Sequence, residues 1–139
     1  MTVGMLRYFL PDKFKEIITV SSAGTGAFHG NQATAFAIQA MQHYDIDISD
    51  HRARRLNRSM IAEADLILAM EQTHLKHIRG MQLFGAGKTH LLSRFDNSRK
   101  PYDIQDPIGG TPDLYTESAK LIHNCLDGIY AYIEEHIDT

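Results

Sequence analysis

The chain has 139 residues, a net charge of −3, and 43% hydrophobic against 22% charged residues. That length suits one domain around a single core, and the mildly acidic balance gives no electrostatic footprint for nucleic acid or an anionic membrane surface. No apolar run approaches the ~20 residues that span a bilayer, and the N-terminal segment has no small-residue cleavage site. One cysteine, Cys125, excludes an internal disulfide and fits a reducing cytoplasm. Residues 1–139 are therefore expected to be a single cytoplasmic domain without nucleic-acid or membrane partners.

In chain order, Met5, Leu6, Phe9 and Leu10 recur at helical spacing, and Pro11 closes that helix. Ile18–Ser22 reads as a short buried strand running into the glycine-rich turn SSAGTGAFHG (Ser21 to Gly30). Asn31 is placed to cap a second helix with Phe36, Ile38 and Met41 on its apolar face. DIDISDHRARRL is a loop leading into a short helix, and Ala64–Met70 is an apolar run of buried parallel-strand length. EQTHLKHIRG predicts a helix stopped by Gly80, and Thr89–Phe95 a third strand. Thr111 and Pro112 look like the N-cap and first residue of one long terminal helix. Its buried face would hold Leu121, Ile122, Cys125, Leu126, Ile129 and Ile133. Strands alternating with helices predict an α/β fold with a parallel sheet.

Several stretches imitate sites that their spacing rules out. GAGKT (Gly85 to Thr89) would be a nucleotide-phosphate loop only with a glycine at position 82, which is Gln82, and it precedes a strand rather than opening a helix. DIDISDHRARRL has Asp50 and Leu56 where a calcium loop needs glycine and glutamate. His74 and His77 share a helix face without a third ligand, which makes a poor zinc site. Cys125 lies in mid-helix within an apolar stripe, away from the electropositive setting of a reactive thiol, so burial is its expected role. Asp106 differs, because Pro107 and two glycines brace it on a rigid loop, which suits a general acid reaching over a pocket. Taken alone, Asp-Pro is an ordinary turn.

SSAGTGAFHG, HYDIDISDHRARRL, ADLILAMEQTH and DIQDPIGG together resemble, in order and spacing, the low-molecular-weight protein tyrosine phosphatase family over essentially the whole chain. The resemblance implies a three-layer α/β/α fold with a four-stranded parallel sheet. It also implies hydrolysis of a phosphorylated protein substrate without metal or cofactor. A cysteine thiolate attacks phosphorus, an aspartate protonates the leaving group, and the phosphocysteine is then hydrolysed. Asp106 matches the general acid, Ser22 the serine that braces the phosphate loop, and Phe28 the aromatic wall of the cleft. Pro107 and Ile108 complete the substrate-side support. The D-P-I-G-G form is similar to the bacterial branch that includes phosphoarginine phosphatases, leaving phosphotyrosine and phosphoarginine both open.

One part of the pattern does not occur in these residues. Family members begin with an apolar strand and C-x-G-N-x-C-R-S-P, whereas MTVGMLR resembles the segment just after that serine-proline pair. The first central strand and the C-x5-R loop are thus expected to be absent, leaving an N-terminally truncated, inactive domain. Cys125 cannot replace that loop, because the arginine position counted from it is Ala131. A three-stranded sheet, or strand pairing across a homodimer, is expected to close the gap. The alternative is a catalytically dead relative acting as a binding or interaction module. Arsenate reductases of related fold add redox cysteines and fit a one-cysteine chain poorly.

Overall fold

The computed structural model describes residues 1–25, 30–81 and 87–136. Its sheet consists of two parallel strands, β1 (Ile67–Ala69) and β2 (Thr89–Leu91), with Ile67 opposite Thr89 and Ala69 opposite Leu91. Side chains alternate across such a sheet, and here the alternation separates two apolar clusters. Ile67, Ala69 and Leu91 pack with Ile61, Leu75 and Ile78, contributed by α3 (Arg58–Glu63) and α4 (Gln72–Met81). Leu68 and Met70 pack on the opposite cluster. That larger cluster joins Met5 of α1 (Thr2–Tyr8), Met41 of α2 (Ala35–Gln42), Ile122 of α5 (Pro112–His123) and Ile129 of α6 (Leu126–His136). The result is the helix–sheet–helix layering expected of this α/β chain.

Local sequence accounts for most element ends. The Asn57 side chain accepts a 2.9 Å bond from the Met60 N–H and starts α3, satisfying a donor the helix cannot pair itself. Thr34, not Asn31, caps α2, accepting from the Ala37 N–H at 3.3 Å. Asn31 is engaged elsewhere, its carbonyl accepting from the Ala53 N–H at 2.7 Å. Phe36 also departs from the predicted apolar face: it is 41% exposed, and Ala37, Ala40 and Met41 are the buried residues of α2.

Four further expectations are corrected. Ile18–Ser22 forms no strand; the Val20 carbonyl accepts instead from the Arg7 guanidinium, at 3.0 Å from Nε. A strand requires a partner backbone, and an arginine side chain occupies this acceptor. The expected three-stranded closure is accordingly not formed, the sheet of the described residues having two strands. Thr89–Phe95 is a strand only to Leu91, then turns into a 3-10 helix, Leu92–Phe95. The terminal helix is two helices, parted at Asn124 and Cys125. There the Cys125 N–H bonds to the Ile122 carbonyl at 3.0 Å, one residue short of the α pattern. The Cys125 thiol donates at 3.3 Å to the Leu121 carbonyl that this tightening frees.

Gly128 in α6 lets that helix close on the 3-10 turn, since a Cβ there would lie 2.2 Å from the Phe95 carbonyl oxygen. Gly80 in α4 has nothing within 4 Å of its Cβ position. Opposite signs follow for the same substitution. Gly128→Ala is expected to destabilise by about 1–3 kcal/mol through forced displacement of packed backbone. Gly80→Ala is expected to stabilise by about 0.5–1 kcal/mol through helix propensity. Urea unfolding of the two variants beside the parent checks both; equal midpoints would remove the close-approach argument.

Candidate active site

The loop carrying Asp106 is pinned at both ends. The Ile104 N–H donates to the Met70 carbonyl at 2.9 Å, immediately past β1, and the Ile104 side chain is buried. Asp103 accepts from the Gln72 N–H at 2.9 Å, so the same loop supplies a carboxylate to the first turn of α4. On the far side the Ser118 hydroxyl donates to the Gln105 carbonyl at 3.4 Å. Asp106 therefore stands over the carboxyl end of β1, the position where α/β sheets present ligands.

The turn that follows holds the Asp106 carboxyl. Its Oδ1 accepts from the Ile108 N–H at 3.1 Å, and the Pro107 carbonyl accepts from the Gly110 N–H at 2.7 Å. Gly109 has φ +79°, a left-handed conformation that glycine adopts without strain. Asp106 itself is exposed, and Ile108 is 71% exposed beside it. An acid held by one backbone bond, with its other oxygen open, can deliver a proton to an incoming group.

Opposite Asp106 is the start of α1. The Thr2 hydroxyl donates to Met70 Sδ at 3.5 Å, which brings the helix start to the end of β1. Burial lowers the pKa of the Met1 amine, and the Asp106 carboxylate partly offsets that by raising it. Asp106 and the amine are thus electrostatic neighbours. On the other flank of α1, Ser22 lines a cleft of about 260 Å³ with Arg7, Asp50, His51, Arg52 and Arg54. The Arg54 guanidinium donates to the Ser22 carbonyl at 3.3 Å, so the serine is fixed through its main chain. The neighbouring Gly24 N–H and carbonyl bond to the Arg54 carbonyl at 2.8 Å and the Leu56 N–H at 3.0 Å. Burial lowers the His51 pKa, assisted by the positive Met1 amine, Arg7, Arg52 and Arg54.

The structure thus brings Asp106, Pro107 and Ile108 together on one loop and puts Ser22 in the adjoining cleft, whereas Phe28 lies outside the described residues. Arg7, His51, Arg52 and Arg54 were not singled out from sequence, although HRARR (His51 to Arg55) displays a basic run. Cys125 is fully buried, and its thiol is pushed up to about 11 by burial and by the charge of Asp96. That is the inert state expected of a packed cysteine.

The profile of the low molecular weight phosphotyrosine protein phosphatases matches residues 1–138. The chain belongs to that family. Among similar proteins, the probable low molecular weight protein-tyrosine-phosphatase EpsP of Ralstonia nicotianae is 32% identical over 127 residues, covering 91% of this chain and 81% of the relative. The low molecular weight protein-tyrosine-phosphatase Ptp of Acinetobacter johnsonii is 33% identical over 122 residues, covering 88% and 82%. A low molecular weight protein tyrosine phosphatase structure from T. tengcongensis superposes with TM-score 0.81 at 27% identity, covering 94% of this chain and 88% of that one. The YwlE arginine phosphatase from Geobacillus stearothermophilus superposes at 0.80 with 25% identity, covering 99% and 88%. The fold of this chain is therefore the α/β fold of these relatives.

The pH response of this domain follows from two histidines. His51 and His90 both have lowered pKa values, in each case first through burial and then through neighbouring cations. Below the ordinary imidazole value of about 6.5 the unfolded chain binds protons that the folded chain resists, so folding weakens as pH falls. Chemical unfolding between about pH 7.5 and 5.5 should show declining stability, with a shallower decline in His51→Gln. An unchanged slope in that variant would remove His51 from the account.

Proposed function

We propose that the domain serves in hydrolysis of phosphorylated protein side chains, with Asp106 as the general acid. The observation that supports this most directly is the exposed carboxyl of Asp106, held by the Ile108 N–H over the end of β1 and facing the start of α1. In the proposed reaction a thiolate attacks phosphorus, forming an S–P bond as the P–O bond to the leaving group breaks. Asp106 gives its proton to that departing oxygen. Water then cleaves the S–P bond, and the Asp106 carboxylate takes up the proton released. Ser22, Phe28, Pro107 and Ile108 are assigned to support around the reacting group.

The attacking thiolate does not come from these 139 residues. Cys125 is buried with a raised pKa and has Ala131 where a C-x5-R loop carries arginine. Phosphoryl transfer needs an activated nucleophile and donors around the equatorial oxygens, and Asp106 supplies neither. Residues 1–139 alone are therefore proposed to be inactive. The substrate class is a protein phosphomonoester or phosphoramidate; similar proteins include ones named tyrosine phosphatases and ones named arginine phosphatases.

Two measurements test this. The 139-residue chain should release no phosphate from an aryl phosphate or from phosphoarginine, and joining C-x-G-N-x-C-R-S-P with its strand before Met1 should produce thiol-sensitive hydrolysis. Robust turnover by the bare chain that disappears in Cys125→Ser would overturn the assignment. In the extended chain, Asp106→Asn should reduce kcat by roughly 10²–10⁴-fold with little change in substrate affinity. A parental kcat there would remove Asp106 from the chemistry.

A further inference from the structure

Tyr102 precedes Asp106 in the acid loop and is held by a buried polar cluster at its N–H, its carbonyl and its phenol. The N–H donates to the Ser93 hydroxyl at 2.8 Å, and the same hydroxyl donates to the Tyr102 carbonyl. The phenol donates to Asp96 Oδ2 at 2.7 Å. Asp96 is 4% exposed, and its Oδ1 accepts from the Ser98 N–H at 3.1 Å and the Ser98 hydroxyl at 2.6 Å. Ser93 is buried too, and both holding residues belong to the 3-10 helix Leu92–Phe95 or its C-terminal cap. The Arg99 guanidinium lies 3.7 Å from the centre of the Tyr102 ring.

We propose that Ser93 and Asp96 are positioning residues, and that their grip on Tyr102 sets where the Asp106 carboxyl stands over β1. Every residue between the grip and the acid is bonded to a different part of the fold. Asp103 takes the Gln72 N–H of α4, Ile104 donates to Met70 past β1, and Gln105 takes the Ser118 hydroxyl of α5. The path contains no free residue that could absorb a shift of Tyr102, so a shift there is passed on to Asp106. This inference rests on the reading of Asp106 as the general acid.

Stability alone is a poor reason for such a cluster. Burying a carboxylate and hydroxyls costs desolvation, and an apolar replacement of both partners of a buried bond can be nearly neutral. What a fully satisfied network adds is one specified arrangement of its members. The arrangement is also constant across neutral pH. Burial pushes the Tyr102 phenol up to about 12, with the Asp96 bond acting in the same direction, so it remains a donor. The Ser98 hydroxyl and then the Tyr102 phenol hold the Asp96 carboxyl below its ordinary range, so it remains an acceptor.

Pairing Tyr102→Phe with Tyr130→Phe separates orientation from bulk stability. Tyr130 also carries a phenol bond, donating at 2.9 Å to the Leu6 carbonyl, and that bond involves no part of the acid loop. The readout is amide hydrogen exchange of the 139-residue chain, comparing the Ile104 N–H with that of Met41, which is fully buried in α2. In Tyr102→Phe, Ile104 should accelerate about tenfold or more relative to Met41, as loss of a bond to a charged group implies. In Tyr130→Phe the ratio should stay parental. Asp96→Asn removes the charge from the same bond, should open the same gap, and stands in where Tyr102→Phe does not fold. Matched acceleration of Ile104 and Met41 in either folded variant overturns the proposal. The extended chain then reads the acid itself. Tyr102→Phe should lower kcat/KM about tenfold for phenyl phosphate and much less for p-nitrophenyl phosphate, whose less basic departing oxygen depends less on a proton. An equal fall for both substrates also overturns the proposal, since it reports general loosening. A parental Asp106→Asn would instead remove the acid reading, an outcome seen in a different variant and so distinct from failure of the grip.

Discussion

The main-chain bond from Ile104 to Met70 fixes the loop that carries Asp106 at the end of β1. Met70 ends β1, and three parts of the chain meet there. The loop that carries Asp106 is tied to its carbonyl, and the Thr2 hydroxyl at the start of α1 touches its sulfur. Asp103 reaches from the same loop to the first turn of α4. Burial of Ile104 gives the junction its apolar anchor, since an amide bond alone contributes only about 0.5–1.5 kcal/mol net. The carboxyl end of the sheet is thereby dressed with an acid on one side and a helix start on the other.

Charge is distributed around this junction with a clear division. Asp106 lies towards the acid loop, and Arg7, Arg52 and Arg54 lie on the other flank of α1. Among the described residues Asp106 forms no ion pair with these arginines, and its carboxyl accepts from the Ile108 backbone N–H. Main-chain carbonyls instead occupy the arginines and keep them ordered. The bonds of Arg7 and Arg54 also hold the Val20–Ser22 segment in place, so these two guanidiniums both support the fold and charge the cleft.

Several elements were legible because their cause is local. The Thr111–Pro112 start of α5 and the apolar periodicity of α1 each depend on residues within one or two turns. Asp106 was legible for a related reason: Asp-Pro-Ile-Gly-Gly encodes its own turn, down to the left-handed Gly109. The errors occurred where a distant partner intervened. Asn31 is a good cap by type, yet its carbonyl is taken by Ala53, and Thr34 starts the helix. Ile18–Ser22 has strand composition, yet its Val20 acceptor goes to Arg7 from α1. The continuous apolar stripe from Leu121 to Ile133 concealed a break at Asn124 and Cys125, where the Cys125 N–H bonds to Ile122 and its thiol takes the freed Leu121 carbonyl.

From the sequence alone came the α/β class, the phosphatase resemblance, Asp106 as the candidate acid and the burial of Cys125. These depend on order, spacing and local turn chemistry, which a linear string carries. Only the tertiary structure decided that, among the described residues, two strands form the sheet and that α1 begins beside Asp106. It alone gathered arginines 7, 52 and 54 around one cleft. The physical reason is separation along the chain. Arg7 and Arg52 become neighbours only when α1 and the HRARR stretch fold against the same Val20–Ser22 segment, and their basic character is diluted by a chain that is acidic overall.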